Sequence, residues 1–190
     1  MSSSKQHTMR KTILFLLATS LIACNNSEST ASKQTPTEET KVAAMSTTDL
    51  AYPLKDWADW QPGSIDNLKM VLQALKDFEN GNIDASLTSF ADSIHLSFDQ
   101  MEGTFSKDSL RKMFTAQRSD LKSMKIYMDD YESVKSKDGK QQYVSLWYKQ
   151  IWEDKKGNTD SIEQMNDLRI VNGKIASLSE KSRRYPKKKM

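Results

Sequence analysis

The sequence predicts an α+β domain with helices packed on one face of a curved sheet. Three observations predict it. Amphipathic helices come first, four long runs of period-two hydrophobicity follow, and Asp138-Gly139, Gly157-Asn158 and Asn172-Gly173 separate those runs. The 190-residue chain suits one domain plus tails. Its aromatic content of 8% is enough to build a core.

The elements follow in order. Tyr52 to Trp60 reads as a short helix, with Leu54, Trp57 and Ala58 one turn apart and Pro53 at the first helical position. Pro62-Gly63 breaks it. Ser64 then caps a helix carrying Ile65, Leu68, Leu72, Leu75 and Phe78 at a period near 3.6, and Asn80-Gly81-Asn82 ends it through a left-handed cap. A short second helix places Ile83, Leu87 and Phe90 on one side. Ile94, Leu96 and Phe98 alternate with His95, Ser97 and Asp99, the pattern of a half-buried strand. Ser106 caps a third helix to about Arg118, with Leu110, Met113 and Phe114 inward. Strands are expected over 121–135, 142–153, 159–171 and 174–182, the last two joined by the two-residue hairpin signal Asn172-Gly173.

The first segment bears on location. Lys5, Arg10 and Lys11 precede an apolar run from Ile13 to Ala23, too short to span a bilayer comfortably and shaped like an export leader. Leu21-Ile22-Ala23-Cys24 resembles the bacterial lipoprotein signal, which implies cleavage before Cys24 and lipidation of its thiol. Membrane attachment through lipidated Cys24 and an envelope location, outer membrane or periplasm-facing, follow as expectations. The leader carries three of the 28 basic residues and no acidic one, so the mature chain has 25 of each sign. It is neutral, and no nucleic-acid partner is expected. As the single Cys of the chain, Cys24 also excludes an internal disulfide. The expected organisation is a leader over 1–23, lipidated Cys and flexible tether over 24–50, an aromatic lead-in over 51–63, the domain over 64–182 and a basic tail over 183–190.

Phe78-Glu79-Asn80-Gly81-Asn82-Ile83-Asp84, Ser89-Phe90-Ala91-Asp92 and the closing hairpin Arg169 to Ile175 resemble the nuclear transport factor 2-like superfamily, which includes SnoaL-type polyketide cyclases and ketosteroid isomerases. The likeness covers about residues 64–182. It implies a cone, with about three N-terminal helices on the concave face of a curved antiparallel sheet around an apolar pocket. It also implies three catalytic positions, and these fall on Phe98 (carboxylate base), Ala74 (tyrosine) and about Asn166 (acid). Phe98 cannot take a proton and Ala74 cannot donate a hydrogen bond, so that mechanism is expected to be absent and no catalytic residue is assigned.

Other constellations read as structure. His95, Ser97 and Asp99 share a strand face but sit about 6.5–7 Å apart along it, too far for a nucleophilic triad. Asp99 points away from Phe98 unless a bulge intervenes. Asp167 and Arg169 resemble, in reversed order, an epoxide-hydrolase pair, and are expected as a surface ion pair. No metal site or cofactor is expected, since the mature chain retains His95 as its sole His and Asp129-Asp130 with Glu132 lacks a calcium loop.

The candidate ligand-binding residues are Trp60, Phe98, Tyr148, Gln150, Trp152 and Asn166. Tyr148 and Trp152 share a face with Val144, Leu146 and Gln150 that is expected to line the cone; Trp57 and Trp60 are expected at its mouth. Trp147 faces outward, a surface that related domains often use to form a homodimer. The leading expectation is a non-catalytic, lipid-anchored domain binding a small apolar ligand or a protein partner. An isomerase, cyclase or hydrolase using Asp99, Asp130 or Asn166, and a structural dimerising envelope protein, are the alternatives.

Overall fold

The computed structural model describes residues 50–54 and 59–184. The leader, Cys24, nearly all of the tether, Trp57 with the middle of the 52–60 segment, and residues 185–190 lie outside the described residues. The described elements are β1 (Gln61–Pro62), α1 (Ile65–Glu79), α2 (Ile83–Leu87), β2 (Phe90–Phe98), β3 (Met101–Ser106), α3 (Lys107–Ser119), β4 (Leu121–Lys135), β5 (Gln142–Asp154), β6 (Thr159–Val171) and β7 (Lys174–Arg184).

Local chemistry sets the helix ends. The Ser64 hydroxyl accepts from the Asp66 and Asn67 amides at 3.2 and 3.4 Å, and Ser106 accepts from the Ser109 amide at 3.2 Å. Gly81 takes a φ of +82° after α1, where a side chain would be strained. Arg118 on α3 then donates to the Phe78 and Glu79 carbonyls at 3.1 and 3.2 Å, so a cation from another helix finishes the α1 C-terminus. The buried face of α1 is Leu68, Val71 and Ala74, whereas Ile65 is 60% exposed. Leu72, Leu75 and Phe78 flank this contact, partly buried.

The sheet is open and seven-stranded, in the order β1-β4-β5-β6-β7-β2-β3. Its pairs are antiparallel except β2 with β7, which is parallel, so the sheet is mixed where an antiparallel one was expected. Asn172 and Gly173 both adopt positive φ (50° and 69°) in the β6–β7 hairpin, as its two-residue loop requires. Ile94, Leu96, Val144, Leu146 and Ile175 of the sheet, with Val71, Leu87 and Leu110 of the helices, form the driest part of the core. The described residues of the expected 52–60 helix, Tyr52, Pro53, Leu54, Asp59 and Trp60, are not helical, and further features differ from the sequence reading. Met101–Ser106 is a strand hairpinned to β2; Phe90 starts β2 instead of ending the second helix; and Arg183 and Arg184 belong to β7, not to the tail. Gln61 and Pro62 pair with Lys135 and Val134 of β4, which ties the lead-in to the sheet edge.

Candidate functional site

A cavity of about 290 Å³ lies between the helices and the inner sheet face. Helix α1 supplies Val71, Ala74 and Phe78 to its wall, α3 supplies Met113 and Phe114, and β2 supplies Phe90 and Phe98. The aromatic rings interlock. Phe114 meets Phe78 and Phe90 edge-on, with centroids 5.0 and 6.1 Å apart.

Ser86 of α2 and Gln117 of α3 add polar groups to the wall, and the rest come from three adjacent strands. Leu146, Asn166 and Glu180 are direct cross-strand partners on β5, β6 and β7, and Tyr148, Gln164 and Ser182 form the next row of the same face. The Asn166 amide donates to the Tyr148 hydroxyl at 3.0 Å, while Asn166 Oδ1 is buried without a partner. Gln164 accepts the Ser182 hydroxyl at 2.7 Å and gives a side-chain hydrogen bond to Glu180. Desolvation pushes the Glu180 carboxyl up to about 7; the negative charge of Asp99 adds to this, and the Gln164 hydrogen bond opposes it. Burial pushes the Tyr148 phenol up as well, with Glu180 adding and the Asn166 hydrogen bond opposing, so Tyr148 keeps its proton.

Glu180 was invisible to strict alternation. Counting by two from Ile175 points Ser177 and Ser179 inward and Glu180 outward. The register instead shifts between Arg169, which pairs with Ser177, and Ile170, which pairs with Ile175, leaving Ala176 as the extra residue. Beyond this bulge Leu178, Glu180 and Ser182 take the inner face. The three-residue spacing of two apolar residues, Ile175 and Leu178, within one strand was the available signal.

The bulge has a chemical consequence. Leu96 pairs with Leu178 and Ser97 with Ser179, so Phe98 and Glu180 follow one step further along neighbouring parallel strands, and both line the cavity. The position that the family resemblance assigned to a base holds a phenyl ring, but a carboxylate stands on the adjacent strand. The step from Phe98 to an absent proton acceptor therefore does not hold. Ala74 also lines the cavity, and the phenol missing there is supplied by Tyr148 from the sheet.

Of the six candidate residues, the structure brings Phe98, Tyr148, Gln150 and Asn166 together around the cavity. Trp60 and Trp152 do not line it. Trp60 is 42% exposed and packs edge-on against Tyr143, with centroids 5.7 Å apart, beside the edge strand. Trp152 pairs with Met124 and Asp160, a full row beyond Gln150. Asp99 lies in the exposed β2–β3 turn and Asp130 on exposed β4, where it accepts the Tyr131 amide; neither reaches the cavity. His95 pairs with Glu102 at 3.5 Å on the solvent side. Asp167 accepts the Ser145 hydroxyl at 2.6 Å in place of an ion pair with Arg169. Trp147 is half-buried in a shallow depression of the outer face. Among the described residues, no group of three or more His, Cys, Asp or Glu is placed to hold a metal ion, and no helix is long and apolar enough to cross a membrane.

No protein-family profile and no curated protein matches the chain in sequence. Solved structures do match in shape. An NTF2-like protein of unknown function from Burkholderia pseudomallei superposes with a TM-score of 0.51 at 12% identity, covering 62% of this chain and 91% of that one. AusH from Aspergillus nidulans gives 0.53 at 15% identity, over 65% and 87%. An LEH-like epoxide hydrolase from M. tuberculosis gives 0.50 at 8% identity, over 62% and 83%. The domain has the nuclear transport factor 2-like fold, and likenesses of this kind fix the fold alone.

Proposed function

We propose that the chain is a lipid-anchored envelope protein whose domain holds one small, largely apolar molecule in the cavity. The observation that carries the binding reading is an apolar, ring-walled hollow with a buried acceptor, Asn166 Oδ1, that has no partner. An unmet buried acceptor costs about 1–3 kcal/mol, and a ligand donor would relieve it. The anchor rests on the leader and on Leu21-Ile22-Ala23-Cys24. Native mass spectrometry of the full-length protein, extracted from its own envelope in detergent, tests the binding reading. One retained small molecule per chain is the expected result; a consistently ligand-free protein overturns it.

A second reading, a proton-transfer enzyme of isomerase or cyclase type, is favoured by one observation, the Glu180 carboxyl inside the cavity with a proton affinity near neutrality. A group with a pKa near 7 can take a proton from a bound carbon acid and return it elsewhere. Tyr148, held by Asn166 through its oxygen, retains its own proton to donate to oxygen charge that develops on the ligand. Exchange of ligand C–H for deuterium in D₂O, lost in Glu180→Gln, is the expected signature. Exchange at the same rate in that variant would remove Glu180 from the chemistry.

A further inference from the structure

The charge and hydrogen-bonding character of the cavity narrow the class of molecule that fits it. Glu180 is the one acidic residue lining it, its carboxyl pushed up to about 7 and so ionised mainly above neutrality; no Lys, Arg or His contributes to the wall. A desolvated carboxylate with no cation in the cavity wall is an unbalanced charge, and Asp99, whose charge acts on it, has the same sign and makes the imbalance worse. Asn166 Oδ1, on the residue directly across the strand pair from Glu180, is a second acceptor with nothing donating to it. Asn166 is itself 5% exposed. The remaining wall near these acceptors is aromatic, with Phe98 beside Glu180 and Phe78, Phe90 and Phe114 interlocked across the hollow. Ring faces carry the negative end of a quadrupole and attract a cation. Carboxylate, orphan carbonyl and aromatic rings all belong to residues that line the same space.

We infer that the molecule held by the cavity is an organic cation: a protonated amine whose N–H groups meet the Glu180 carboxylate and Asn166 Oδ1, with its hydrocarbon body against the phenylalanine rings. This rests on the ligand-binding reading and adds the chemical class. The Tyr148 hydroxyl, already accepting from Asn166, stays free to donate to a polar substituent on the amine. An anionic ligand would face Glu180 without a compensating cation in the wall, so carboxylates and phosphates are excluded from the class.

Calorimetric titration of the full-length protein in detergent at pH 8 with benzylammonium, benzyl alcohol and phenylacetate, which share a ring and differ in head-group charge, tests the inference. The expected order is benzylammonium at least about tenfold tighter than benzyl alcohol, and phenylacetate unbound. Glu180→Gln should abolish the preference for the amine over the alcohol. Glu180→Asp, which retains the charge, should keep most of the preference. If benzyl alcohol or phenylacetate binds as well as the amine, the cation inference fails and the binding reading stands. Should none of the three bind, while the protein also emerges ligand-free from its envelope, both fail together. A preference for the amine that survives in Glu180→Gln likewise overturns the assignment to this carboxylate.

Discussion

Replacing Glu180 by Gln should stabilise the domain at alkaline pH and leave it unchanged in acid. Folding raises the carboxyl from an ordinary 4.5 to about 7, so the folded state holds a proton that the unfolded chain releases. Stability therefore stands at its full value below about pH 4.5, declines as pH rises toward 7, and levels off above that. The decline is on the order of 3 kcal/mol, taking about 1.4 kcal/mol per pKa unit. Gln cannot ionise, still accepts the Gln164 amide and fits the same space, so it removes the decline. The groups that face Glu180 are Asp99 in the β2–β3 turn, Tyr148 on β5, and the uncharged Gln164 and Asn166 on β6. Their own titration occurs in both proteins and cancels in the difference. Urea unfolding of both proteins from pH 4 to pH 8.5 should give curves that coincide in acid and separate progressively toward pH 8. A constant offset across the whole range, or a less stable variant at pH 8, would refute the burial of this carboxyl and with it the chemistry proposed for the cavity.

Three further outcomes are expected. Cys24→Ala should move the protein from the membrane pellet to the soluble fraction on fractionation, because durable attachment takes about two acyl chains and the variant would carry none; pelleting in mild salt would defeat the anchor. Arg118→Met should lower stability by about 1–3 kcal/mol in denaturant titration, since it strips a charged donor from two carbonyls at the α1 terminus, and a neutral effect would show that water serves there equally well. Gly63→Ala should detach the lead-in from β4 with little effect on the global midpoint. A Cβ there would stand 2.7 Å from the Val134 amide and 2.8 Å from the Ser133 carbonyl carbon, and hydrogen exchange at Gln61 and Gly63 should rise while the core stays protected. Unchanged exchange would mean that the backbone accommodates the methyl group.

Much of the frame was legible because it is written in local periodicity. β4 and β6 begin and end where alternation begins and ends, since each is long and bounded by residues that favour turns. Ser64 and Ser106 announce their helices through the oxygen each turns back on its own amides. β3 was not legible, because its six residues are half-buried on one face and exposed on the other, with Gly103 in the middle, too short and too weakly apolar to register. The parallel pairing of β2 with β7 joins segments some 80 residues apart and leaves no local trace. The site divided along the same line. Phe98, Tyr148, Gln150 and Asn166 follow from unbroken alternation, whereas Glu180 depends on one extra residue at Ala176 that inverts the count. Aromatic size misled at Trp60 and Trp152, whose rings fill space at the sheet edge and beyond the hollow.

The position of β7 has a consequence for how the molecule comes into being. The last of the described strands sits between β6 and β2, so it is the seam joining the earlier elements to the later ones. Until it arrives, β2 and β3 have no sheet to join, and the phenylalanine pocket lacks its acidic wall. Assembly must therefore wait for β7 and then close over long sequence separations, a slow step for a small domain. The hollow thus closes in one step, because the element that links the two halves of the sheet also carries its acidic wall.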